Sequence, residues 1–302
     1  MQAKQKNQSN GNRSQSRKTI LDGFVDKPLT ANNAINTVQL LSVQRKDYAF
    51  DWGMDVELFY EDEFLKISYL DASNSNRCLI AFTGVGHAMG GVDVQREEFF
   101  SQHALGMVVW VTDKRRSWGN NLKIEAISSA IQNLIAKREV FFVGNSMGGF
   151  LAILFSSILN AKRVMAFVPQ FSVSPNIVPY ERRWINYRSE IKKFVYEDLS
   201  QSFNANTEYA LLMGSGGYEE VHYQKFSKFS NRPNVHILKF TDIGHNVAGY
   251  LKELNVLNEC IDIFFRGHSL EDFFERSSIR FLDGNFQSSS NKRKTSGLGL
   301  HV

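Results

Sequence analysis

Between Cys78 and Phe240 the chain repeats one pattern: a short, nearly unbroken apolar run, then a stretch long enough for a helix. The runs are CLIAFTG (Cys78 to Gly84), MVVWVTD (Met107 to Asp113), EVFFVGN (Glu139 to Asn145), RVMAFVP (Arg163 to Pro169), YALLMGS (Tyr209 to Ser215) and NVHILKF (Asn234 to Phe240). They are rich in β-branched, aromatic and aliphatic side chains and bounded by turn formers, so they predict strands. Strands apolar on both faces and separated by helix-length segments predict a parallel sheet covered by helices on each side. Apolar positions recur at helical spacing over Leu122 to Lys137, Ser146 to Asn160, Glu219 to Phe229 and His245 to Phe265. Ahead of the first run, VELFYEDEFLKISYL (Val56 to Leu70) predicts an antiparallel hairpin turning at Glu61-Asp62-Glu63. The expected class is α/β, with an antiparallel leading edge followed by a βαβ series.

Both ends break the pattern. Gln, Asn, Ser and basic residues dominate there, and such segments bury too little apolar surface to offset the entropy of ordering. Disordered tails are expected at 1–20 and 285–302, with one domain over 21–284. Within it, 171–206 leaves the regular alternation and mixes Pro175, Pro179, Tyr180, Trp184, Tyr187, Phe194 and Tyr196 with Arg and Lys. That segment is expected either to cap a site, shaping its pocket, or to cover the sheet's edge.

A length of 302 residues, 43% hydrophobic and 22% charged, suits a globular chain with a sizeable core. The net charge of +4 is unevenly spread: Lys4, Lys6, Arg13, Arg17, Lys18, Lys292, Arg293 and Lys294 all lie near the ends. Subtracting these eight leaves −4 for the body, which argues against a nucleic-acid-binding function. Cys78 and Cys260 have neither a CxxC partner nor metal-ligand spacing, so no disulfide framework or zinc site is expected and a reducing compartment is the simplest reading. The polar N-terminal sequence lacks the apolar core of a secretory signal, and no apolar run has membrane-spanning length. The expectation is a cytoplasmic protein with no membrane partner.

The chemistry enters at Gly144-Asn145-Ser146-Met147-Gly148-Gly149, a GxSxG motif. An apolar strand runs into it and a helical segment of small and aliphatic residues runs out. On such a strand-to-helix turn the serine hydroxyl projects above the sheet, and bulk at the flanking glycines would strike neighbouring backbone. The helix start also offers free N–H groups to an oxyanion. A serine hydroxyl near neutral pH needs a base. His245 qualifies, because it follows the last predicted strand after the short loop Thr241-Asp242-Ile243-Gly244.

From roughly Val56 to Phe265 the chain resembles the α/β-hydrolase superfamily, through GNSMGG and the IGHN histidine loop. The resemblance implies a mostly parallel central sheet with helices on both faces, a possible small cap, and the chain order Ser, acid, His. It assigns Ser146 as nucleophile and His245 as base. The acid belongs to the loop after the strand ending at Gly214; many members carry it three residues later, where this chain has Gly217. Glu219 is the first choice, because an acid three residues before His222 resembles a pattern of some small bacterial hydrolases. Glu220 is the alternative, and Asp242 ranks third. By the same resemblance, the glycine-rich Thr83-Gly84-Val85-Gly86 completes an oxyanion hole formed by the N–H groups of Met147 and Val85.

The implied activity is that of a serine hydrolase, esterase-like, acting on a small-molecule ester or acylated-sugar substrate with no cofactor and no metal. The alternatives are an acyltransferase using the same residues on a sugar or other alcohol, and a non-catalytic accessory protein, for which Gly217 speaks. Serine at the motif argues against haloalkane dehalogenase or epoxide hydrolase chemistry, which uses aspartate there in this superfamily. His87 and His103 read as surface histidines without metal-ligand spacing. Arg115 and Arg116 read as a solvated face more readily than as an anion clamp.

Overall fold

The computed structural model describes residues 48–49, 55–71, 75–89 and 92–284. The expected tails at 1–20 and 285–302 lie outside the described residues.

A leading strand β1 (Tyr48–Ala49) pairs with β2 (Asp55–Glu61), which forms the predicted hairpin with β3 (Leu65–Leu70). Asp62 closes that hairpin by accepting the N–H groups of Phe64 (2.8 Å) and Leu65 (2.7 Å). The apolar runs follow as β4 (Arg77–Phe82), β7 (Met107–Asp113), β8 (Glu139–Asn145), β9 (Arg163–Phe167), β10 (Glu208–Met213) and β11 (Val235–Lys239). A small hairpin of β5 (His87–Met89) and β6 (Val92–Val94) stands apart from the main sheet, and β12 (Leu282–Asp283) closes its far edge.

The main sheet has the order β1-β2-β3-β7-β4-β8-β9-β10-β11-β12. Every pair from β7 to β11 is parallel, and the pairs outside that block are antiparallel. The chain passes from β4 to one neighbour, β7, and then crosses to the other, β8. At such a reversal the loops after adjacent strands diverge and leave a crevice at the strands' carboxyl ends.

Alternation along each strand separates two cores. Ile80, Phe82 and Phe142 face one side, with helices α1 (Ile124–Ile135), α2 (Met147–Ser156) and α4 (Gly217–Phe226). Leu79, Ala81, Phe141 and Val143 face the other, with α5 (Val247–Glu253), α6 (Leu257–Arg266) and α7 (Leu270–Arg276). A short α3 (Ile185–Ser189) lies in the 171–206 segment. Every residue of α2 is buried, so this helix has no polar face, as expected of one enclosed between sheet and neighbours.

One expectation is corrected. The apolar spacing from His245 to Phe265 is carried by two helices, α5 and α6, with Asn255 between them in the left-handed region at φ 59°. Asparagine tolerates that conformation and ends a helix there. Among the described residues, no helix is long and apolar enough to cross a membrane.

Candidate active site

The loops after β4, β8, β9, β10 and β11 converge at the carboxyl edge of the sheet. Ser146 sits between β8 and α2 with φ 57° and ψ −117°, a conformation non-glycine residues rarely adopt. Its N–H is tied to the Phe167 carbonyl (2.8 Å), which fixes the turn to β9. A Cβ on Gly148 would lie 2.0 Å from the Phe82 carbonyl oxygen, so the turn closes only because this position is glycine. The loops after β10 and β11 approach as closely: a Cβ on Gly214 would lie 2.0 Å from the Gly244 carbonyl, and Ser215 N–H donates to Ile243 O (2.7 Å). That contact brings the acidic and histidine loops together.

The result is a continuous line of hydrogen bonds. Ser146 Oγ is 2.8 Å from His245 Nε2, and His245 Nδ1 is 2.8 Å from Glu219 Oε1. Ser146 and Glu219 are buried, and His245 is partly open to solvent. Burial works to raise the Glu219 carboxyl, but hydrogen bonds and charge from His245 and Arg183 outweigh it and hold it below its ordinary value. It is therefore an anion at neutral pH. A carboxylate only accepts, so Nδ1 carries the imidazole's proton and Nε2 faces the serine as an acceptor.

Glu220, the alternative acid, turns instead to Lys239 Nζ (2.6 Å). Asp242 is exposed at φ 63° on the histidine's own loop. Met147 is the first residue of α2, where N–H groups lack intrahelical partners. Beyond β4, the Gly84 N–H is taken by the Glu98 carboxylate (2.9 Å), whereas the Val85 N–H has no partner among the described residues. Loss of hydration around Glu98 raises it to about 7, with the Gly84 N–H pulling the other way.

Several contributors carry no motif. Gln170, after β9, donates from Nε2 to Ser146 Oγ (2.8 Å). Arg183 pairs with Glu219 Oε1 and, through Nε and Nη2, with both oxygens of Glu181. Glu181 accepts from His222 Nε2 (3.1 Å), whose Nδ1 accepts the Phe171 N–H (3.1 Å). Trp184 sets its ring 6.1 Å from that of His245, and its buried Nε1 has no partner among the described residues. The 171–206 segment thus lies against the acid and the imidazole together. Arg116, read from sequence as solvated, donates Nε to the Val85 carbonyl (2.7 Å) and stacks over Tyr187; Arg115 pairs with exposed Glu63. His103 bonds the Phe100 carbonyl through Nδ1, the side chain of His87 is outside the described residues, and among the described residues no three His, Cys, Asp or Glu gather as a metal site.

No protein-family model and no curated protein sequence matches this chain. Solved structures do. The capsule O-acetyltransferase of Neisseria meningitidis serogroup A superposes with a TM-score of 0.52 at 14% identity, over 72% of this chain and 99% of that one. The chain has the α/β-hydrolase fold. Two further solved structures are similar to it. A lidless serine hydrolase from Xanthomonas campestris matches at 10% identity over 70% of this chain and 94% of its own (TM-score 0.45). The carboxylesterase CesB from Bacillus subtilis matches at 12% over 79% and 98% (TM-score 0.41).

Proposed function

We propose that this α/β-hydrolase is a serine esterase-type enzyme working through Ser146, His245 and Glu219. The observation that carries the reading is the unbroken line from hydroxyl to imidazole to carboxylate, with both distances at 2.8 Å. In the proposed reaction Ser146 Oγ attacks the ester carbonyl carbon as its proton passes to His245 Nε2. The carbonyl electrons move onto oxygen, where the N–H groups of Met147 and Val85 hold the developing charge. Collapse expels the alcohol, which takes the proton from Nε2. Water, giving its proton to the same nitrogen, then cleaves the acyl-enzyme and returns Ser146 to its hydroxyl form. Glu219 stays ionised and steadies the imidazolium through Nδ1–H.

A second reading is acyl transfer to a sugar or other alcohol in place of water. It is favoured by the similarity of this chain to the Neisseria meningitidis capsule O-acetyltransferase. The non-catalytic reading draws on the glycine at 217 where many members carry the acid, and the reach of Glu219 to the imidazole supports the enzyme instead.

The test is covalent labelling by a fluorophosphonate, expected in the wild type and abolished in Ser146→Ala. A folded wild-type protein that resists the label overturns the enzyme reading. Product analysis with p-nitrophenyl esters, with and without a polyol acceptor, separates the two chemistries: acylated polyol formed faster than free acid assigns transfer.

A further inference from the structure

Ser146 Oγ has a second neighbour besides the imidazole. The Gln170 side chain is fully buried, and one face of its amide meets Ser146 while the other meets Trp118, also fully buried. Trp118 Nε1–H can only donate, so the atom facing it at 3.0 Å is the amide oxygen, Oε1. The amide nitrogen must then face Ser146 Oγ. An amide nitrogen is itself only a donor, so Oγ accepts from Gln170 and has its single proton left for His245 Nε2. Donation thus runs one way, from Trp118 through Gln170, Ser146 and His245 to Glu219. The tryptophan end and the carboxylate end demand the same direction.

The backbone supports this arrangement from two independent loops. Val168, a β-branched residue, has φ 40° two positions before Gln170, and Trp118 has φ 50°. Conformations of this kind persist only where the surroundings over-determine them, and they concentrate at functional sites. The Trp118 loop is held by the buried Asp113 carboxylate, which accepts from Ser117 N (2.9 Å), Ser117 Oγ (2.8 Å), Gly119 N (3.0 Å) and Arg115 N (3.2 Å). The Gln170 loop is held where Val168 N–H meets the Leu212 carbonyl (2.8 Å).

We propose that Gln170 is a positioning residue for the nucleophile: its amide, oriented by Trp118, holds Ser146 Oγ in the rotamer whose proton points at His245. The proposal rests on the esterase-type reading of the same site. Trp118 acts only through Gln170, which makes their effects on Ser146 dependent on one another.

The experiment is inactivation of the full-length protein by a fluorophosphonate, resolved into the reversible constant KI and the rate constant kinact. Gln170→Met keeps the side-chain length without the donor and is expected to lower kinact about tenfold, the size of one net hydrogen bond, with KI within about twofold. Trp118→Phe frees the amide to turn and is expected to lower kinact about threefold, a partial loss of the same bond. The double variant is expected to match Gln170→Met alone, because a residue acting through another adds nothing once the second is gone. Should Gln170→Met fail to fold by circular dichroism, Gln170→Leu, which likewise lacks the donor, takes its place with the same expectation. Wild-type kinact in the Gln170 variant, or additive losses in the double variant, overturns the positioning role. A wild type that resists labelling overturns the enzyme reading and this role together, whereas a labelled wild type with an unaffected Gln170 variant overturns this role alone.

Discussion

At the residue scale, two adjacent glutamates differ only in direction. Glu219 is buried against His245, and Glu220 extends to Lys239 near the surface. Glu219→Gln is expected to lower kcat by roughly 10³–10⁴, because an amide in the acid's place leaves the imidazole without its anion and able to hold the wrong tautomer. Glu220→Gln is expected to change kcat by less than about threefold, within the small effect of a partly exposed pair. Steady-state kinetics on one ester decides it, and equal, mild effects would remove Glu219 from the role. The three-residue spacing to His222 ranks Glu219 first only by resemblance; the turn of α4 is what aims it at His245 and Glu220 at Lys239. Glu98 gives a second residue-scale prediction. Its folded value of about 7 lies above the ordinary 4.5, so its contribution to stability is complete below 4.5 and is lost as pH rises through 7. Glu98→Gln keeps an acceptor for the Gly84 N–H without the charge. It is expected to stabilise the fold by on the order of 2 kcal/mol at pH 8 and by almost nothing at pH 4.5, read from urea unfolding at the two pH values.

At the element scale, the strand-turn-helix around Ser146 was legible from sequence because each part obeys a local rule. β7 and β8 occupy the residues that the apolar runs mark, and α2 begins at the residue after the serine. The stretch from His245 reads in sequence as one element because apolar periodicity continues across the break at Asn255. Only the turn conformation of Asn255 divides it. The elbow itself yields a prediction. Gly148→Ala sets a methyl carbon against the carbonyl of Phe82, and backbone at the end of a central strand has nowhere to move. The loss of stability is expected to exceed the ~1–3 kcal/mol typical of overpacking, with labelling at Ser146 lost in whatever protein folds. Wild-type urea unfolding of that variant would show that the turn has slack the close contact denies.

At the scale of the whole molecule, the 171–206 segment is fastened to the body through a buried ionic cluster. Burial pushes Glu181 up, yet the hydrogen bond from His222 and the ion pair with Arg183 hold it down at about 2. Its stabilising contribution, on the order of 3 kcal/mol, is complete above the ordinary 4.5 and is lost as pH falls toward 2. His222, which burial holds below its ordinary 6.5, adds a loss of the same sign once pH drops below 6.5, because the unfolded chain takes a proton the folded one resists. Arg183→Met leaves Glu181 buried without its cation and is expected to destabilise by about 3–5 kcal/mol at pH 7, with faster amide exchange concentrated in 171–206. Uniform exchange across the molecule would show that the segment is anchored elsewhere. The amino-acid sequence by itself determined the alternation of strands and helices, the elbow serine and the histidine loop. Each of these follows from periodicity or turn chemistry within a few residues. Which glutamate meets His245, that Gln170 faces Ser146, and that Arg183 joins the 171–206 segment to the acid were decided only by tertiary structure. These contacts join loops from separate strands, and their geometry is set by sheet order and by close backbone approaches such as that at Gly214.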